Sequence, residues 1–536
     1  MGAGILAGFT VRLHPSKAQK TCAPYPRSMT QLTRNDFLKL SGLAAAMTAL
    51  SACQPLFGDS GPSGAVMREA QVLGSPLSGS PDEDWVLMCT LHRISFGPTP
   101  NEVERAREIG IENYIDEQLN PERVEETDLP TDILNSLTLL GMNPQELFEL
   151  EMRGRIIGEL TANALLRCAY SKRQLNELMV DFWTNHFNIH AAGNPEGVLK
   201  VRDDLEVIRP NALGNFGDLL HASATSPAML TYLDNASNTK NGPNENYARE
   251  LLELHTMGVD GGYTQLDVEE VARAFTGWSV VGPRRRLFAD GTPGDFVFQA
   301  NLHDEGEKLV LGKTITSSGI EEGQAIIDLL VDHPSTAEYI STKLVRRFVA
   351  DEPPRSLITR AAETFTNTSG DIPQVMSTIL HSDEFKASLG QKVKRPLEIF
   401  VSALRLTNAS IQFPNRSLAP HLTFMGQPLY RWETPDGYPD TADAWLGTSG
   451  TLSRWNYVLA LAFNTMPGVE INWEALVEDT TTHEEIIDQL GYRFIGQTLP
   501  EEARQIVLDF AGQIDEEFLL PGIGALILSS PYFQMR

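Results

Sequence analysis

The sequence predicts a mainly α-helical, multi-helix globular body carrying one small β-hairpin insertion. Apolar residues recur at helical spacing through most of the chain, most clearly over residues 144–170, 172–187 and 244–278. A strand-like pattern appears between residues 284 and 316, where FVFQA and KLVLGKTI flank the turn residues His303 to Glu307. The composition, 42% apolar and 21% charged, is that of a folded chain rather than a disordered one. At 536 residues there is ample core for one large or two ordinary domains.

Taken in order, residues 1–28 carry no pattern, and Met29 reads as the true start because a signal begins directly after it. Residues 29–53 read as a signal peptide. TRNDFLK (33–39) matches the twin-arginine export pattern at every fixed position but one. Asn35 stands where the second arginine belongs, so the twin-arginine and general secretion routes both stay open. The apolar stretch 40–52 is too short to span a bilayer in the usual way. It ends in Leu50-Ser51-Ala52-Cys53, which reads as a bacterial lipobox. The Cys53 thiolate would take a diacylglycerol group, and acyl chains would then hold the protein on a membrane without a spanning helix. Gln54 follows in place of the aspartate that retains some lipoproteins at the inner membrane. The expected location is therefore exported, periplasmic or cell-surface, and membrane-anchored.

Residues 54–84, rich in Gly, Ser and Pro, read as a flexible tether, and one helical domain runs from Trp85 to residue 536. Pro98-Thr99-Pro100 is a turn running into a helix, and residues 205–220 form a broken pair of short helices. The polar loop 234–243 (DNASNTKNGP) precedes an amphipathic helix, a place for a binding site or for a mobile excursion. The run Arg284-Arg285-Arg286 reads as a solvated edge. Residues 372–385 and 521–533 look alike, each an apolar helix ending in a Ser-containing turn and an aromatic, and each following another helix. Residues 415–448 are rich in Gly, Pro and aromatics, and Tyr430, Trp432 and Tyr438 favour an ordered cover.

Residues 244–278 organise the rest. Tyr247, Leu251 and Leu254 fall at i, i+4 and i+7, widened by Ala248 and Leu252 into one apolar face. Glu245, Arg249 and Glu253 form a four-residue ladder on another face. Gly258 stops the first helix, Thr264 and Asp267 form a capping box for a second, and Gly277 ends it.

These residues carry a resemblance. Together with LHRISFGPTPNEVERA (91–106), DFWTNHFNIH (181–190), STAEYISTKLVRRFVADEPP (335–354), KRPLEIFVSALR (394–405) and PDGYPD (435–440), they make the chain resemble the bacterial family catalogued as domain of unknown function 1800. The resemblance runs from about Trp85 to residue 536. It implies no established activity, and it implies a secreted sulfatase-like protein as partner.

The formal charge of −27, from 70 acids and 43 bases, argues against nucleic acid or an anionic lipid surface as partner. Cys89 and Cys168 lie in no CxxC or metal spacing, so pairing and separate burial both stay open. No GxSxG, P-loop, GxGxxG or HExxH motif is present. The run from Asp260 fails as a calcium loop, with Gln265 where glycine belongs and Val271 where the bidentate glutamate belongs.

What remains is histidines and carboxylates, with no catalytic residue assigned and no cofactor identified beyond a divalent metal that they could hold. His186 and His190 are four apart, a usable metal spacing on a helix, while His255 has Glu250 and Glu253 close in sequence. Asp234 and His303 sit in polar turns. Two or three of His186, His255, Asp234, Glu250 and His303 could hold a metal that activates water. A histidine at the edge of an apolar helix face is more commonly a satisfied core residue. Glu245 and Glu250 face different ways on a helix, which speaks against a glycosidase pair. Two functions stay open: a binding or assembly component of the cell envelope, and a metal-dependent hydrolase of extracytoplasmic glycans or other polymers. The absence of a catalytic spacing favours the first.

Overall fold

The computed structural model describes residues 43, 45–50, 83–150, 154–193, 195–282, 291–412 and 418–536. Residues 1–42, Cys53 with its lipobox neighbours Ser51 and Ala52, the tether up to residue 82 and the Arg284–Arg286 run lie outside these. Leu43, Met47 and Leu50 of the apolar stretch pack onto the body. The first helix of the body is Glu83–Ile94, so the last two residues assigned to the tether belong to it. No helix among the described residues is long and apolar enough to cross a membrane.

Helices make up nearly all the regular structure, and one continuous hydrophobic core runs through them. Pro396–Leu406 is buried at every residue and packs against Gly154–Tyr170 and Thr448–Ala462. Local signals set the boundaries. Capping boxes start Pro100–Ile109, with Thr99 and Glu102, and Gln265–Ala274, with Thr264 and Asp267. The two look-alike segments end in the same device. Ser382 Oγ donates to Ile379 and accepts from Phe385 N, and Ser530 Oγ does the same with Ile527 and Phe533.

The β insertion pairs differently from the expectation. Phe296–Phe298 pairs antiparallel with Trp278–Val280, while Lys308–Val310 pairs with Lys313–Ile315 in a hairpin of its own. The reason is the turn. Leu311 and Gly312 both have positive φ (49° and 75°), the backbone of a two-residue primed turn that closes KLVLGKTI on itself. His303 is buried between these pairs instead of tipping a turn that joins them.

The helix before Gly258 also departs from ideal spacing. Asn246–Glu250 is α-helical, and Leu251–Thr256 is a π-helical turn in which Met257 N donates to Leu252 O and Thr256 Oγ1 to Leu251 O. The wider turn rotates Glu253 out of the ladder. Arg249 therefore pairs with Glu245 at 3.0 Å, and Glu253 accepts from Tyr263. A second π-helical turn, Asp203–Ile208, lies in the stretch read as broken helices.

Charge is buried at the centre. Glu398 receives Arg347 at 2.5 Å and Arg536 at 2.6 Å, and Asp181 receives Arg395 and, at 3.5 Å, Arg347. Arg395 also reaches Asp440 at 3.3 Å. Arg93 donates to the main-chain oxygens of Phe348, Val349, Ser388 and Arg536. Cys89 and Cys168 are both buried and unbonded, which resolves the alternatives for that pair. Burial pushes the Cys89 thiol up to about 12.

Burial alone would raise the Glu398 carboxyl, but Arg347, Arg536 and Arg395 hold it well below the usual carboxylate range. Removing it takes the ion pair from Arg536 and leaves the buried Arg347 guanidinium only Asp181, at 3.5 Å. Glu398→Ala should therefore lower unfolding stability by about 3–5 kcal/mol, measured by denaturant titration at pH 7. An unchanged midpoint would show that the network contributes nothing to stability.

Candidate functional site

The separate sequence segments 181–190, 244–278, 335–354, 394–405 and 435–440 meet at one place in the fold. Asn185 joins two of them reciprocally, donating from Nδ2 to Tyr438 O at 2.8 Å and accepting from Tyr438 N at 2.7 Å. Gly437 permits that approach. Its φ is +75°, and a Cβ there would lie 2.2 Å from Asn185 O. Asn188 fastens the same loop through Trp432 O and Thr434 O. On Pro334–Phe348, Tyr339, Lys343 and Arg347 are spaced four apart and share one helix face. Gly258 makes room for Tyr339, because a Cβ on it would sit 2.8 Å from that ring.

His186 and His255 come together beneath this junction, with ring centroids 6.2 Å apart and Phe187 packed against both. His186 Nε2 donates to the carbonyl of His255 at 3.1 Å, which fixes its tautomer. Both rings are buried. Burial, with the Lys343 charge nearby, pushes His255 down to about 3 and His186 well below its usual value, so both are neutral. Among the described residues, His186 Nδ1 and His255 Nε2 have no hydrogen-bond partner. Neutral imidazoles suit a metal, yet among the described residues no three His, Cys, Asp or Glu side chains group closely enough to hold one.

The remaining predicted residues lie apart from this pair. His190 falls beyond the helix, which ends at His186, so the i, i+4 relation is not realised. Asp234 is exposed in a left-handed conformation, φ 62°, with Asn246 Nδ2 at 3.4 Å. Its loop is fastened, since Asn235 donates to Phe275 O and Trp278 O, and Asn238 to Ala272 O. His303 belongs to a buried cluster of its own, 3.3 Å from Glu322, which also receives Lys308 at 2.5 Å. Glu250 is half-buried and accepts no hydrogen bond among the described residues.

Glu250 instead lies with Glu253 and Asp436 at a rim of half-buried aromatic side chains. Tyr232, Tyr263, Tyr339 and Trp432 are all half-buried there. Tyr232 Oη donates to Glu433 O at 2.7 Å, Tyr263 Oη to Glu253 at 3.4 Å, and Trp432 Nε1 to Asp436 at 3.0 Å. Burial raises the Glu250 carboxyl, and the Glu253 and Asp436 charges raise it further. Burial likewise takes Tyr232 and Tyr339 up to about 12, with Asp436 contributing to both. Lys343 Nζ lies 5.6 Å from the Tyr339 ring centroid, and among the described residues it makes no hydrogen bond or ion pair. Desolvation pushes its ammonium down to about 8 against the pull of Asp440 and Asp436.

A family model described as "Protein of unknown function (DUF1800)" matches residues 89–535. The chain belongs to this family. No curated protein and no solved structure matches it. All five converging segments lie inside the region matched to DUF1800. Sequence reasoning singled out His186, His255 and Glu250 but passed over Lys343, Tyr339 and Asp436. The spacing of Tyr339, Lys343 and Arg347 within one such segment was the signal available.

Behind Asn185 lies a cavity of about 40 Å³, lined by apolar Val180, Leu397 and Leu429 and by Glu177, Asp181, Arg209 and Tyr430. Arg209 makes two 2.8 Å bonds to Glu177, and Tyr430 Oη donates to Asp204 at 3.0 Å.

Lys394 gives this DUF1800 protein a measurable pH signature. Its Nζ lies 4.0 Å from the Phe533 ring centroid, and burial pushes its ammonium down to about 7. The folded value lies below the unfolded one, so between about pH 7 and 10 the unfolded chain binds the extra proton. Stability should rise with pH across that window by about 1.4 kcal/mol per unit for this group alone. Lys343 and Lys392, each lowered to about 8, add to the slope above that pH. Denaturant midpoints from pH 6.5 to 9.5 check the slope, and Lys394→Met should flatten its lower part.

Proposed function

We propose that this protein is an exported, lipid-anchored component of the cell envelope that works by binding or assembly rather than by metal-dependent catalysis. One observation carries the reading. The segments 181–190, 244–278, 335–354 and 435–440 bring half-buried aromatic and charged side chains together with two buried histidines. Half-buried groups there are suited to recognition, including the Lys343 and Glu250 side chains, while the two histidines are buried. The order of charged, apolar and small residues ending at Cys53 supports the anchor. The partner proposed on the family resemblance is a secreted sulfatase-like protein.

The alternative is a metal-dependent hydrolase acting on extracytoplasmic glycans or other polymers, with His186 and His255 as ligands. Metal content by inductively coupled plasma mass spectrometry separates the two. The binding reading expects far less than one metal per chain after purification without chelator. Stoichiometric metal, lost in a folded His186→Gln, His255→Gln double variant, would overturn it. The anchor has its own test. Cells fed an alkyne analogue of palmitate should label the parent protein, and Cys53→Ser should abolish the label.

A further inference from the structure

We propose that the cleft between the helices Pro100–Ile109, Pro396–Leu406 and His483–Ile495 binds an α-amino acid or short peptide with free termini, its carboxylate on Arg493 and its ammonium on Glu478. The site shares no residue with the rim around Glu250 and stands independently of it. Segment 91–106, which also carries the family resemblance, takes no part in the convergence described above. Its Thr99, Asn101 and Glu102 line this cleft, together with Arg405 of segment 394–405. The cleft encloses about 410 Å³, within the range of small-molecule sites.

Most of the polar lining is already satisfied by protein. Glu102 receives Arg405 at 2.6 and 2.7 Å, and the other Arg405 nitrogens donate to Gly97 O and Ala169 O. Lys172 pairs with Asp128 at 3.2 Å, and Tyr170 Oη bridges Ala409 O and Ile411 N. Two opposite charges on the lining are left over. Arg493 donates from Nε to Leu406 O at 2.6 Å, while among the described residues its two terminal nitrogens make no hydrogen bond or ion pair. Glu478 is exposed, and its carboxylate accepts no hydrogen bond among the described residues.

The fold sets these two charges beside each other. Gln489 and Arg493 are four apart on His483–Ile495, so their side chains share one face, with Cβ atoms roughly 5–6 Å apart. Gln489 clasps the main chain of Glu478, accepting from its N at 3.0 Å and donating to its O at 2.8 Å. Glu478 is thereby held near Arg493 without pairing to it. Arg493 is half-buried, and burial lowers its guanidinium from the ordinary value with the Glu478 charge opposing.

The chemistry of the leftover groups sets the ligand. With Nε pinned, Nη1 and Nη2 present the forked donor pair that takes a carboxylate in bidentate fashion. The Glu478 carboxylate only accepts, so that end selects a donor, and an ammonium also neutralises it. A simple anion would leave Glu478 unneutralised, and a neutral polyol would leave both charges so. The side-chain amides of Asn101 and Asn408, on the same lining, offer both donors and acceptors to a peptide bond.

The test is isothermal titration calorimetry of the purified full-length protein with free amino acids and dipeptides covering every side-chain class. Binding of at least one member is expected. Amidating its carboxyl end or acetylating its amino end should each weaken binding about tenfold or more, the loss of a charge-assisted contact. Amidation should have no further effect in Arg493→Met, nor acetylation in Glu478→Gln, which assigns each end to its residue. Glu478 is exposed and its clasp uses only main-chain atoms, so Glu478→Gln should keep the parent's unfolding midpoint. If Arg493→Met does not fold, Arg493→Lys replaces it; keeping the charge but losing the fork, it should still bind about tenfold less well. Three results would each overturn the inference: no binding by the folded parent, equal binding of blocked and free forms, or acetate, phosphate or neutral oligosaccharides binding as tightly.

Discussion

The structure depends on a buried ionic lattice in which Glu398, Asp181 and Asp440 hold Arg347, Arg395 and Arg536. Isolated charges in a packed interior are prohibitively expensive, so each member is tolerable only while its partners are in place. The partners come from five elements distant in sequence: Gln174–His186, Pro334–Phe348, Pro396–Leu406, the loop at Asp440 and the strand-like segment at Arg536. An apolar core of this size could slide or repack at modest cost, whereas this lattice has one register. It fixes the relative placement of the helices that carry the rim.

Above the lattice, the floor of the rim is kept dry. His186 and His255 are neutral, and Phe187 fills the space between them. The low polarizability of that floor explains why Lys343, resting at its upper edge, has lost much of its affinity for a proton. Rim and floor are thus one electrostatic unit. The same dryness that disfavours the lysine charge strengthens any hydrogen bond a ligand would make to it.

The π-helical turn Leu251–Thr256 shows how local irregularity serves this arrangement. One extra residue per turn brings His255 inward beside His186 and moves Glu253 outward to Tyr263. A regular helix would have continued the ladder from Glu245 and Arg249. Nothing in residue propensities announces an i to i+5 turn, because its stability comes from the packing that it permits. The β insertion follows a related logic. FVF and KLV both have strand character, but pairing partners were set by the positive-φ turn at Leu311-Gly312 and by the proximity of Trp278.

Periodicity, capping boxes and glycine stops are local, and they alone determined the helical class, the boundaries around Gly258 and Thr264, and the Ser-turn likeness of residues 372–385 and 521–533. Motif content alone placed His186, His255 and Glu250 in segments that converge in the fold. Which of them meet was decided only in three dimensions. His186 and His255 share a sealed pocket, Glu250 looks outward, and Asp234 and His303 lie elsewhere. Lys343, Tyr339 and Asp436 were invisible as a set because each is ordinary in its own segment. Their chemistry arises from burial and mutual charge, and those quantities exist only after distant segments have been brought together.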